Sequence, residues 1–137
     1  MANMEMEIDS IQVSRQDDRD QRVVMLKQEG RPLYLPVWTG PAEGDAIAMR
    51  LQGVSALRPR THDFACAAID ALGSSLESVV IHKLEDSISH AKVIIDTKEG
   101  QKEIDCRPSD GMAMAVRTGA PILADEEVLD TAGFLLE

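Results

Sequence analysis

The run Gly111-Met112-Ala113-Met114-Ala115-Val116 constrains this chain more than any other stretch. It follows an alternating strand, Glu103-Ile104-Asp105-Cys106, through Arg107-Pro108-Ser109-Asp110, which leaves no room for a loop. Proline is tolerated in a first helical turn, where its missing N–H has no intrahelical partner. The run after it therefore reads as a helix, and that helix has no polar face. A helix apolar all round must be covered all round. In a chain of 137 residues it is either sandwiched at the centre of the fold or buried between subunits. We therefore expect a homo-oligomer, most simply a two-fold dimer.

Much of the remaining chain reads as strands. Met4, Met6 and Ile8 alternate on even positions but Ile11 and Val13 on odd ones, which predicts a bulge near Asp9-Ser10. Residues 14–21 are wholly polar and read as a loop. A second strand spans 22–27, with an apolar middle suited to burial on both faces. After the Glu29-Gly30 turn, Leu33, Leu35 and Val37 share one face of a third. Helices are expected from about Pro41 to Gln52 and from a Thr61 cap to Gly73. Phe64, Ala68 and Leu72 form the second helix's stripe, widened by Ala65, Cys66 and Ile69. Hairpins turn at Glu85-Asp86-Ser87 and Lys98-Glu99-Gly100, and Ile104 and Cys106 face inward on the strand after the latter. Residues 121–123 make a last strand, Asp125 caps a brief helix, and Phe134-Leu135-Leu136 is an apolar tail needing a groove.

The expected fold is α+β: a mixed or antiparallel sheet of hairpins with about three main helices, in one domain over 1–137. It carries an internal echo. Residues 24–50 and 92–117 each read strand, Glu-Gly turn, strand, and a helix holding Asp45-Ala46-Ile47-Ala48-Met49 or Asp110-Gly111-Met112-Ala113-Met114. A distant ββα duplication accounts for both.

Charge narrows the function classes. A formal net charge of −10 disfavours a general nucleic-acid coat, which needs clustered Lys and Arg. It bears less heavily on an enzyme that meets nucleic acid locally. The two cysteines, Cys66 and Cys106, have no metal-ligand spacing and read as free thiols of a reducing cytoplasm. No apolar run approaches membrane length. We expect a cytoplasmic protein with no membrane partner.

Chemistry-bearing residues gather at helix starts. Asp105, Arg107 and Asp110 surround the 104–117 junction, Glu43 and Asp45 open the first helix, and His62 and Asp63 open the second behind Arg58 and Arg60. Two readings stand at each place. Acids at a helix start are explained by capping and the helix dipole. Alternatively Asp105, Asp110 and Glu43 are hard oxygen ligands for Mg²⁺ or Mn²⁺. Arg107 then meets a phosphate, and His62, oriented by Asp63, acts as general base or acid. His82 and His90 read as a half-buried and a surface histidine.

Four motifs carry a resemblance. Leu35-Pro36-Val37-Trp38-Thr39-Gly40 with Glu43, Arg58-Pro59-Arg60-Thr61-His62-Asp63, Arg107-Pro108-Ser109-Asp110 and Gly119-Ala120-Pro121-Ile122 stand in the order of the bifunctional nuclease family. The chain resembles that family over residues 5–136. The resemblance implies a self-associating α+β domain with nuclease activity on RNA and DNA. Its motif positions here are Glu43, His62, Asp63, Arg107, Ser109 and Asp110. Gly44, and the pair Gly111-Met112, depart from the family's usual alanine and Ala-Ile. A metal-assisted phosphodiesterase using His62, Asp63, Arg107 and Asp110 is the first expectation. A non-enzymatic oligomeric interaction or regulatory domain is the alternative, and an anion sensor is a third.

Overall fold

The helix without a polar face is the centre of the molecule. In a computed structural model describing residues 2–136, it forms α3 (Pro108–Thr118), with Gly111 through Ala115 all buried and Met112 and Ala113 fully so. Of the two ways to cover it, the structure uses the sandwich. Strands β3 (Leu33–Thr39), β4 (Ser75–Glu85) and β5 (Ile88–Thr97) pack on one side, and helices α1 (Pro41–Leu51) and α2 (Thr61–Ala71) on the other. Gly111 lets α3 sit directly on β4, since a Cβ there would fall 2.5 Å from Val79 Cγ1. Burying a side chain such as Met112 contributes about 1.5–3 kcal/mol.

The sheet has eight strands in the order β6-β5-β4-β7-β1-β2-β3-β8, completed by β1 (Asn3–Gln16), β2 (Arg19–Gln28), β6 (Gly100–Cys106), β7 (Ile122–Asp125) and β8 (Phe134–Leu135). Every neighbouring pair is antiparallel except β4 with β7. A fourth helix, α4 (Glu126–Ala132), is capped by Asp125, whose carboxylate accepts from Glu127 N. The architecture is the expected α+β mixed sheet of hairpins. On each side of β7 a three-strand meander runs outward, β1-β2-β3 into α1 and β4-β5-β6 into α3. The ββα echo is thus present as topology. No helix among the described residues is long and apolar enough to cross a membrane.

Several local expectations change. The polar 14–21 stretch is no loop: β1 and β2 continue to a tight turn at Asp17-Asp18, both with positive φ. Asp tolerates that conformation, which matches the twist of a two-residue hairpin. The bulge expected at Asp9-Ser10 is present between Ile8 and Ser10. Ile104 is exposed because β6 is a sheet edge with little packed over it. The tail adds β8 to the edge of β3, where Phe134 stacks on Tyr34 at 6.0 Å, but its side chains stay exposed.

Helix α2 is rotated from its expected face. Phe64 and Leu72 are 70% and 80% exposed, and Ala65, Cys66 and Ile69 pack inward instead. Both sets have helical spacing; close approach to α3 decides between them. His62 meets Asp110 and, one turn on, Cys66 Sγ meets the Met114 carbonyl, so the two helices run parallel in register. Small side chains on the inward face permit that approach.

Candidate active site

The site lies where three helices begin. Arg107 is the N-cap of α3 with Pro108 behind it, and no side chain caps that end by a hydrogen bond. The Asp110 carboxylate is turned away from the backbone instead. Its Oδ2 accepts from Arg107 Nε at 2.8 Å and its Oδ1 from Arg107 Nη2 at 2.9 Å, a two-pronged pair. The same Oδ1 lies 3.0 Å from His62 Nε2, brought in by the first turn of α2. Glu43, in the first turn of α1, stands 3.7 Å from Arg107 Nη1. His62, Asp110, Arg107 and Glu43 therefore converge from three elements, around a cleft of about 460 Å³.

The electrostatics follow from these contacts. The Arg107 guanidinium holds the Asp110 carboxyl below the usual carboxylate range; His62 adds to this and partial burial opposes it. The arginine remains largely exposed, so its outer edge faces solvent. With Nε2 of His62 facing Asp110, Nδ1 is the ring nitrogen left for any other partner.

Asp63 does something other than orient His62. It accepts from the Arg60 backbone N–H at 2.9 Å and from Arg117 Nε at 2.6 Å. Arg60, one residue before the expected Thr61, is the N-cap of α2. Arg117 is nearly buried and also donates to the Ala113 carbonyl at 2.7 Å. The Arg60 N–H, and then Arg117, hold the Asp63 carboxyl below its ordinary value. This pair ties α2 to the end of α3. Asp110, 48 residues from His62 in sequence, is the imidazole's partner instead.

Asp105 is exposed on β6 opposite Lys92 and lines a neighbouring cleft together with Glu43, Arg107 and Asp110. Among the described residues no group of three His, Cys, Asp or Glu side chains is placed to hold a metal ion. Both Asp110 oxygens are already engaged, and Arg107 stands between Asp110 and Glu43. As arranged, the expected trio of Asp105, Asp110 and Glu43 does not fit a divalent cation. Cys106 borders the site, but burial, with Asp110 and Asp105 adding, pushes its thiol up to about 11, which leaves it a poor nucleophile. Burial holds the His82 imidazole below its ordinary value.

A sequence model described as the bifunctional nuclease domain matches residues 23–137. The chain belongs to the bifunctional nuclease domain family. The match takes in every residue of the cleft and leaves out all of β1 and the start of β2. Proteins of two Mycobacterium tuberculosis strains, each named only as uncharacterized, are 38% identical over 130 residues, covering 95% of this chain and 77% of theirs. The family description supports a nuclease-like function for this bifunctional nuclease domain. Arg117, which the sequence reading passed over, left one signal: a charged residue closing a helix with no polar face.

Proposed function

We propose that the chain is a nuclease-type phosphodiesterase acting on RNA and DNA at the His62–Asp110–Arg107 cluster. One observation carries this reading: His62 and Arg107, from two helix starts, share the Asp110 carboxylate beside an open cleft, and the arginine is exposed enough to meet a phosphate. Arg107 neutralises charge developing on the phosphate oxygens. His62 takes a proton from the attacking water as its oxygen bonds to phosphorus. The ester P–O bond then breaks, the departing oxygen takes up a proton from solvent, and His62 returns its proton to solvent. Asp110 steadies the imidazole and the positive charge it gains, and Asp63 serves the architecture. As arranged, the carboxylates do not fit Mg²⁺ or Mn²⁺, and in this reading His62 and Arg107 act directly on water and phosphate.

The test is cleavage of single- and double-stranded DNA and RNA by highly purified protein, with and without EDTA, beside Asp110→Asn. Cleavage that survives EDTA and falls at least a hundredfold in the variant is expected. Equal activity in the variant would show the cluster to be a structural clasp.

The self-association expectation acquires a new basis. Phe64, Ala67, Ala68, Ala71 and Leu72 form an exposed apolar stripe along α2, with large residues at its ends and alanines between. Such a stripe is complementary to its own copy turned about a two-fold axis. It favours the second reading, an oligomeric interaction domain, as well as a dimeric enzyme. Sedimentation should give a dimer at micromolar concentration, and Phe64→Glu a monomer.

A further inference from the structure

The cleft beside His62 is the middle of a longer groove. On one side it shares Pro59 and Arg60 with a recess of about 330 Å³ that also contains Arg50 and Arg58. On the other it shares Glu43, Arg107 and Asp110 with a larger cleft of about 800 Å³. Trp38 of β3 and Ile88 of β5 wall that larger cleft, 53% and 63% exposed. Their strands lie five places apart in the sheet, so only its curl around α3 brings them to one opening. On an otherwise acidic protein, arginines occupy one arm of the groove and an open tryptophan the other.

We propose that the groove binds single-stranded nucleic acid, with one base stacked on Trp38 and the adjoining phosphates running from Arg107 toward Arg60 and Arg58. The inference rests on the nuclease reading and names the strand form that the site takes. The larger cleft has the volume of a small-ligand site and an aromatic wall, and bases of any sequence stack on an aromatic face. Glu43 and Asp105 repel a phosphate from that arm but accept hydrogen bonds from a base's N–H groups. In the other arm Asp63 also borders the recess, but its charge is met by Arg117. A duplex keeps its bases stacked on one another, out of reach of Trp38. A net charge of −10 leaves no broad basic face to hold a duplex by its backbone alone.

Trp38 is the sole tryptophan, so its fluorescence reports stacking directly. The experiment titrates the protein with a short oligodeoxythymidylate, with that strand annealed to its complement, and with inorganic phosphate. The single strand should quench the emission, and the other two should not. Trp38→Ala should weaken binding of a dye-labelled single strand about tenfold or more, read by anisotropy, while Trp38→Phe keeps most of the affinity. Because Trp38 is exposed, both variants should keep the wild-type circular dichroism. Quenching by duplex as strong as by single strand, or unchanged affinity in Trp38→Ala, would overturn the proposal. Stacking without cleavage upholds this subsite and defeats the nuclease reading. Cleavage with no quenching defeats the subsite alone.

Discussion

His62→Ala should slow phosphodiester cleavage by about a hundredfold to ten-thousandfold, the range over which a positioned acid or base acts. The imidazole is half-buried, and its bond to Asp110 is one of three that the carboxylate accepts. Removing it leaves Asp110 paired with Arg107, so the fold should lose only about 1 kcal/mol. The check is a turnover assay beside a melting curve on the same preparation. Near-normal turnover with a normal melt would show that His62 merely fastens α2 to α3.

Its neighbour should behave the opposite way. Asp63→Ala removes the acceptor of the α2 N-cap and strands Arg117, whose side chain is 7% exposed. Leaving a buried guanidinium unpaired is severe, but a third of Asp63 faces water and softens the loss. We expect about 3 kcal/mol of destabilisation, a fall of about 10 °C in Tm. The pH dependence carries a sign. The folded-state value of Asp63 is depressed, so its stabilisation is full above the ordinary carboxylate value of about 4 and is lost as pH falls through the lower folded value. The gap between wild type and variant should therefore close on the acid side, measurable as thermal midpoints from pH 7 downward. Adjacent residues with opposite phenotypes would separate chemistry from scaffolding.

How far the sequence reaches is clear from particular residues. The covered helix was legible because Met112 through Val116 offer no polar face, and period-two patterns placed most of the strands. The Asp17-Asp18 turn was hidden because polar residues suit a hairpin tip as well as a loop. The face of α2 was ambiguous since two helical stripes overlap; tertiary contact with α3 chose between them. Within the site, Arg107 and Asp110 could be paired from their spacing of three. The join to His62 spans 48 positions, and nothing local announces it. Adjacency is the only geometry that a linear reading supplies, and it pairs Asp63 with His62. In the fold, consecutive helical residues diverge by about a quarter turn or more and find different partners.

The placement of β7 has a consequence for how the molecule comes into being. Residues 122–125 lie between the two meanders, hydrogen-bonded to Asn3–Met6 on one flank and Val79–Ile81 on the other. During synthesis both flanking halves leave the ribosome before the strip that joins them. Each must wait with an open edge, and an open edge is where chains stick to other chains. Final closure is a long-range event that waits for residues 122–125, which makes the interval before they emerge the hazardous one for this fold.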